Sequence, residues 1–237
     1  MFRITEQRLS SFVFLEGLTL LPETHTVVRL SSPNLQAVIS GKLGYEYPFD
    51  PRLGKQLVKT ASQLMAENAS VPFVFVGRTE ISMLFEQDTH RNRRSPWTLI
   101  GGTAGLASAR LSLLLGEAVI FQAAIYQLPT TELVEEYFAW QQASTRLSAL
   151  TEHYVQTLRQ RGVELGSARQ MIEEIGPDDI GKTLEENGVD VEQIPTWQKD
   201  GTGLYRQQDG IGGTPLLVDV KLPNGDDFRR FLQRFLQ

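Results

Sequence analysis

Two strand-like runs, Val71–Val76 (VPFVFV) and Glu80–Phe85 (EISMLF), are separated only by Gly77-Arg78-Thr79. A three-residue connection containing glycine allows two such runs to pair only as an antiparallel hairpin, so the rest of the chain must be arranged around it. Upstream, Thr26–Leu30 (TVVRL) is a short β-branched run that ends in the polar turn Ser31-Ser32-Pro33-Asn34. Asp50-Pro51 then sets a capping residue before a proline at the first helical position, and Leu53, Leu57, Ala61 and Leu64 recur at helical spacing up to Asn68. Downstream, Pro96–Leu115 reads as a helix weakened by Gly101, Gly102 and Gly105, and Ala118–Tyr126 as a fourth strand. The order β-α-β-β-α-β predicts an α+β, ferredoxin-like fold of the kind used by polymerase palms, an antiparallel sheet with both helices on one face.

From Pro129 the pattern turns helical. Leu133, Tyr137, Trp140, Leu147, Leu150, Tyr154 and Leu158 form one apolar stripe that ends at Gly162. Shorter helices are predicted at Ser167–Ile175, capped by Ser167, and at Asp178–Asn187, entered through Pro177-Asp178. A late strand, Leu216–Leu222, and a closing amphipathic helix, Asp227–Leu236, complete the chain, with Gly210–Gly213 as a surface turn. No linker composition separates the halves, so residues 1–128 are expected to form the palm and residues 129–237 a helical extension packed on it as one structural unit.

Composition narrows the chemistry. The 237 residues include no cysteine, which removes thiolate metal sites, disulfide frameworks and thiol nucleophiles. Lys+Arg 23 against Asp+Glu 28 leaves a net charge of −5, so any RNA contact must use a local patch. The N-terminal residues carry charges where a signal peptide needs an apolar run, and the most apolar stretch, Leu111–Tyr126, is split by Gly116 and Glu117. No membrane association and a cytoplasmic location are therefore expected.

A palm performs phosphoryl chemistry by presenting carboxylates at strand ends to two divalent ions. Here those ends are Leu30-Ser31-Ser32 and Arg78-Thr79-Glu80, and Glu80 is the only acid in them. One carboxylate holds a hydrated Mg2+ weakly and cannot make a two-ion clamp; the competing reading of Glu80 is a solvent-facing strand residue. Arg91, Arg93 and Arg94, with Arg29, form a candidate grip for a triphosphate, the alternative for the loop cluster being a solvated charge run. Arg29, inside an apolar strand, needs an anion if it is buried. His25, His90 and His153 show no metal or catalytic spacing. The Tyr137-Phe138-Ala139-Trp140 segment reads as core rather than as a base-stacking platform.

Taken together, the strings VVRL (27–30), YPFDPRL (47–53), EISMLF (80–85), the basic cluster (91–94), SARLSLLLG (108–116), QLPTTELVEEYFAWQ (127–141) and IPTWQKDGTGLYR (194–206) resemble the tRNA-His guanylyltransferase family of 3′-5′ nucleotidyltransferases. The resemblance implies a palm that binds GTP or another nucleoside triphosphate with Mg2+ and acts on tRNA. The family's first metal aspartate, in an Asp-Gly-Arg turn, is matched by Ser31, with Pro33 removing a backbone donor; the second, in a Ser-Asp-Glu string, is matched by Thr79. After Trp140 the family's polar set is matched by Gln141, Arg146, Ser148 and Thr151, and its Lys-Asn-Glu string by Ile180-Gly181-Lys182, so Lys182 joins the candidate nucleotide-binding residues. The pattern implies a silent or repurposed member that binds nucleotide or RNA, or an inactive subunit assembled with itself or with an intact paralogue. The alternative is an active Mg2+-dependent nucleotidyltransferase that recruits Glu80 with Glu46 or Asp50.

Overall fold

The computed structural model describes residues 9, 12–13, 17–68, 70–87, 95–207 and 216–236. The palm order is realised: β1 (His25–Ser31), α1 (Leu35–Gly41), α2 (Pro51–Glu67), β2 (Phe73–Val76), β3 (Glu80–Phe85), α3 (Pro96–Leu115) and β4 (Gln122–Leu128). There follow α4 (Thr131–Gln160), α5 (Leu165–Glu173), α6 (Ile180–Glu186), α7 (Thr196–Lys199), β5 (Thr202–Gln207), β6 (Leu216–Lys221) and α8 (Asp226–Leu232). One antiparallel sheet runs β4-β1-β3-β2-β5-β6. Where a single late strand was expected, two strands extend the sheet, β5 pairing directly on β2.

Alternation along the strands gives the sheet two buried faces. Val28 and Leu30 of β1, with Ile81 and Met83 of β3, meet Leu57, Ala61 and Leu64 of α2 and Ala107 and Leu111 of α3. Val27 and Leu84 face the other way, onto Val134, Tyr137 and Phe138 of α4 and Phe228 and Leu232 of α8. The N-terminus of α2 forms as the sequence predicts, with Pro51 in the first turn and the Asp50 carboxylate accepting from Arg52 N at 2.8 Å.

Several local readings are corrected. The seven-residue α1 carries β-branched Val38 and Ile39 and lacks a side-chain cap, so nothing in its sequence announces it. Its entry is held from afar, Asn34 Oδ1 accepting from Ile120 N at 2.9 Å and Asn34 Nδ2 donating to Ala118 O at 3.0 Å. These contacts also explain why β4 begins at Gln122 rather than Ala118. Val119 N and Phe121 N donate to Ser112 Oγ and Ser108 Oγ, each at 2.8 Å, in place of ladder partners. Helix α5 is capped by Glu164, which accepts from Gly166 N and Ser167 N, and not by Ser167. On α4 Tyr137, Leu150, Tyr154 and Leu158 of the expected stripe are buried, together with Val134, Phe138, Ala149 and Val155, whereas Leu133, Trp140 and Leu147 are exposed. The core reading thus holds for Tyr137 and Phe138 and fails for Trp140, 48% exposed.

Among the described residues one helix, α3, is long and apolar enough by length and composition to cross a bilayer. In this fold Leu99, Ala107, Leu111 and Leu115 turn inward to the core, and Trp97 and Leu113 stay exposed. Gly210–Gly213, His90 and the Arg91, Arg93, Arg94 cluster lie outside the described residues.

Candidate active site

Antiparallel register sets Ser31 opposite Glu80 and Arg29 opposite Ser82, so Thr79, one residue before Glu80, shares the rim with Ser31. Arg29 and Ser31, two and four residues on, share with Val27 the face turned to α4. The arginine finds its anion there: Arg29 Nη2 donates to Glu80 Oε1 at 2.6 Å and Nε to Oε2 at 3.0 Å, a bidentate pair with side chains 27% and 29% exposed. The bonds to Glu80 push the Arg29 guanidinium up from its ordinary value. Trp140 covers the pair, its ring centre 5.3 Å from the guanidinium carbon. Beneath them Ser82 Oγ and Tyr137 Oη lie 2.9 Å apart, and Gln141 Nε2 donates to Tyr137 Oη at 3.2 Å. Burial pushes the Tyr137 phenol up to about 12.

The family resemblance implies divalent ions at this rim, and the residues do not fit them. Ser31 and Thr79 carry no charge, and both oxygens of Glu80 accept from Arg29. Among the described residues no group of three or more His, Asp or Glu side chains is placed to hold an ion. Asp50, the reserve ligand considered above, is likewise engaged: it accepts from Glu46 N at 3.0 Å and from Arg52 N and Nε, and the Arg52 bonds hold its carboxyl well below the usual range.

Sequence reasoning missed the neighbourhood of Arg78. Its guanidinium donates through Nη1 to Glu152 Oε1 and through Nη2 to Gln36 Oε1, each at 3.2 Å, and lies 5.5 Å over the Phe49 ring. Arg78 and Glu152 are 16% and 13% exposed, and Tyr47 Oη also donates to Glu152. Burial lowers the Arg78 pKa and raises that of Glu152. Beside this pair a cavity of about 510 Å3 opens between α2, the β2–β3 turn and α7. Trp197 packs so closely on α2 that a Cβ at Gly54 would stand 3.0 Å from its ring. Phe49 meets Trp197 edge-on at 6.1 Å and stacks on His153 at 5.1 Å. Its floor is apolar, with Leu53, Leu57 and Val76, and Lys55 and Lys59 stand at one side.

Lys182 sits elsewhere. It is largely exposed, lies 3.8 Å from Glu186, and borders a cleft of about 620 Å3 between α4 and α6 that Trp140 and Arg146 also line. Trp140 therefore separates the Arg29–Glu80 pair from the Lys182 cleft. Arg146 in turn donates to the buried Asp200 at 2.7 Å.

His153, stacked behind Phe49, makes this region sensitive to acid. Burial lowers its pKa below the ordinary 6.5, while its Nε2 lies 3.0 Å from Gln198 Oε1. The unfolded chain then binds a proton that the folded chain refuses, so this contribution is present above about pH 6.5 and is lost progressively as pH falls from there through the lower folded value. Denaturant midpoints should drop between pH 7 and 5.5, and His153→Gln should flatten the drop. An unchanged slope in the variant would show that other groups cause it.

The profile of the tRNAHis guanylyltransferase (Thg1) family matches residues 8–134. The tRNA(His) guanylyltransferase of Debaryomyces hansenii is 23% identical over 203 residues, covering 80% of this chain and 76% of that one. Among solved structures, a bacterial tRNA(His) guanylyltransferase (Thg1)-like protein in complex with GTP aligns with TM-score 0.78 at 16% identity, covering 98% of each chain. The corresponding ATP complex aligns with TM-score 0.79, covering 98% of this chain and 99% of that one at 16% identity. The Saccharomyces cerevisiae enzyme aligns with TM-score 0.75 at 15% identity, over 88% and 94% of the two chains. With the palm topology and a profile match over more than half its length, the chain belongs to the tRNAHis guanylyltransferase family.

Proposed function

We propose that this protein is a nucleotide-binding member of its family that has given up metal-dependent nucleotidyl transfer and serves in tRNA processing as a binding subunit. The observation that carries this reading is the bidentate Arg29–Glu80 pair beside uncharged Ser31 and Thr79. The rim's remaining carboxylate is already neutralised, so the electrostatic stabilisation that two ions give a transferring phosphoryl group has no ligands here. An active enzyme recruiting Asp50 would have to break its bonds to Arg52 and uncap α2.

The ligand is a purine nucleoside triphosphate, as in the GTP and ATP complexes of the bacterial relatives. Its base occupies the cavity walled by Phe49 and Trp197, which is apolar and of nucleoside size. RNA lies along the cleft bordered by Arg146 and Lys182, with Arg91, Arg93 and Arg94 as further phosphate contacts. The protein works in the cytoplasm as an oligomer, with itself or with a relative that keeps both aspartates.

Incubating the purified chain with tRNA, radiolabelled GTP or ATP, and Mg2+ or Mn2+ tests the reading. Bound nucleotide with no incorporation is expected. Metal-dependent labelling of the RNA would replace this reading by the active one, and absence of any nucleotide binding would remove both.

A further inference from the structure

The two guanidinium groups nearest the rim are committed differently. Arg29 gives its Nε–Nη2 edge to both oxygens of a single carboxylate, Glu80. Arg78, on the turn joining β2 to β3 and immediately before Thr79, is held in place without being used up. Glu152 of α4 and Gln36 of α1 each take one hydrogen bond, and the Phe49 ring lies beneath it. A guanidinium offers five N–H donors, so this one is positioned by three separate elements and retains donors for another acceptor. It also lines the Phe49–Trp197 cavity.

The charges around that cavity point to the kind of group Arg78 would meet. Its lining includes three cations, Lys55, Lys59 and Arg78, and one carboxylate, Asp50. Asp50 is neutralised by the bonds from Arg52, and Lys55 and Lys59 have no partner among the described residues. The cavity thus carries a positive excess with no ion added, at the rim where Ser31 and Thr79 offer no charged ligand for one.

Resting on the nucleotide-binding reading above, we propose that Arg78 is the resident cation of this site and binds the triphosphate group of a nucleotide directly, in place of a divalent ion. A guanidinium fork matches phosphate oxygens and needs no carboxylates to hold it, which fits a rim whose acids are spent. Glu152 is the internal counter-anion that Arg78 shares while the site is empty, and it competes with the incoming phosphate for the same donors.

Isothermal titration of GTP and ATP into the full chain, in EDTA and in excess Mg2+, tests this directly. Affinities should agree within about threefold in the two buffers, and inorganic tripolyphosphate should compete. Arg78→Gln should weaken nucleotide binding about tenfold or more, the loss expected for one charge-assisted bond to phosphate, while leaving guanosine binding unchanged. Glu152→Gln should tighten nucleotide binding several-fold, a gain that a purely structural role for the pair would not produce, and it keeps the test valid if the Arg78 variant folds poorly. Binding that needs Mg2+, a triphosphate that does not compete, or a Glu152→Gln variant that binds no more tightly would overturn the assignment while leaving nucleotide binding in place. No nucleotide binding in either buffer would overturn both.

Discussion

Replacing Ser31 and Thr79 together by aspartate is expected to give this protein a strong divalent-ion site. The register brings positions 31 and 79 to one rim beside Glu80, so the variant would gather three carboxylates where there is now one. In EDTA the double variant should melt below the natural protein, because two added carboxylates crowd Glu80, whose own partner Arg29 is already committed. Adding Mn2+ should reverse the order. At about a hundredfold excess over its dissociation constant a bound ion contributes about 2.7 kcal/mol, which for a chain of this size is a shift of about 5–10 °C. The natural protein should show no such shift. A double variant whose melting temperature is the same in Mn2+ and in EDTA would mean that the rim has lost the shape of an ion site and not only its charges.

The second large effect concerns the joint between the palm and its extension. Gly201, just before β5, adopts φ +78, and a Cβ there would stand 2.6 Å from Phe75 Cζ and 2.9 Å from the Val76 carbonyl oxygen. The left-handed backbone costs an ordinary residue about 1–2 kcal/mol, and a methyl forced against a buried ring and a backbone oxygen adds about 1–3 kcal/mol. Gly201→Ala should therefore lose about 3–4 kcal/mol and about 10 °C of melting temperature. Gly188→Ala, also at positive φ but with open space around its Cβ, separates the two causes and should lose only the backbone share. Equal losses in the two variants would exclude the clash with Phe75.

How much could be read without coordinates depended on whether the deciding contact was local. The hairpin at Gly77–Thr79 and the cap at Asp50 are set by neighbours within a few residues, and both stand where the periodicity placed them. The strand Thr202–Gln207 was missed because its place in the sheet depends on β2, more than a hundred residues earlier in the chain. The 30-residue α4 was legible as a helix, and Tyr137, Leu150, Tyr154 and Leu158 are buried as expected, yet Leu133, Trp140 and Leu147 of the same stripe are exposed. Trp140 lies over Arg29 rather than in the core, and only the packing of α4 on the sheet decides that.

At the site the division is the same. By itself the sequence determined the palm order, the lack of charge on Ser31 and Thr79, and the need of a strand-borne Arg29 for an anion, because each follows from residue type and short-range spacing. Only the tertiary structure decided that the anion is Glu80, that Arg78 is held by Glu152 and Gln36, and that Phe49, stacked on His153, walls a cavity with Trp197. Those pairs are separated by tens of residues and joined by no periodicity. Their meeting follows from strand register and from how α4 and α7 pack on the sheet, which are properties of the assembled core and not of any one segment.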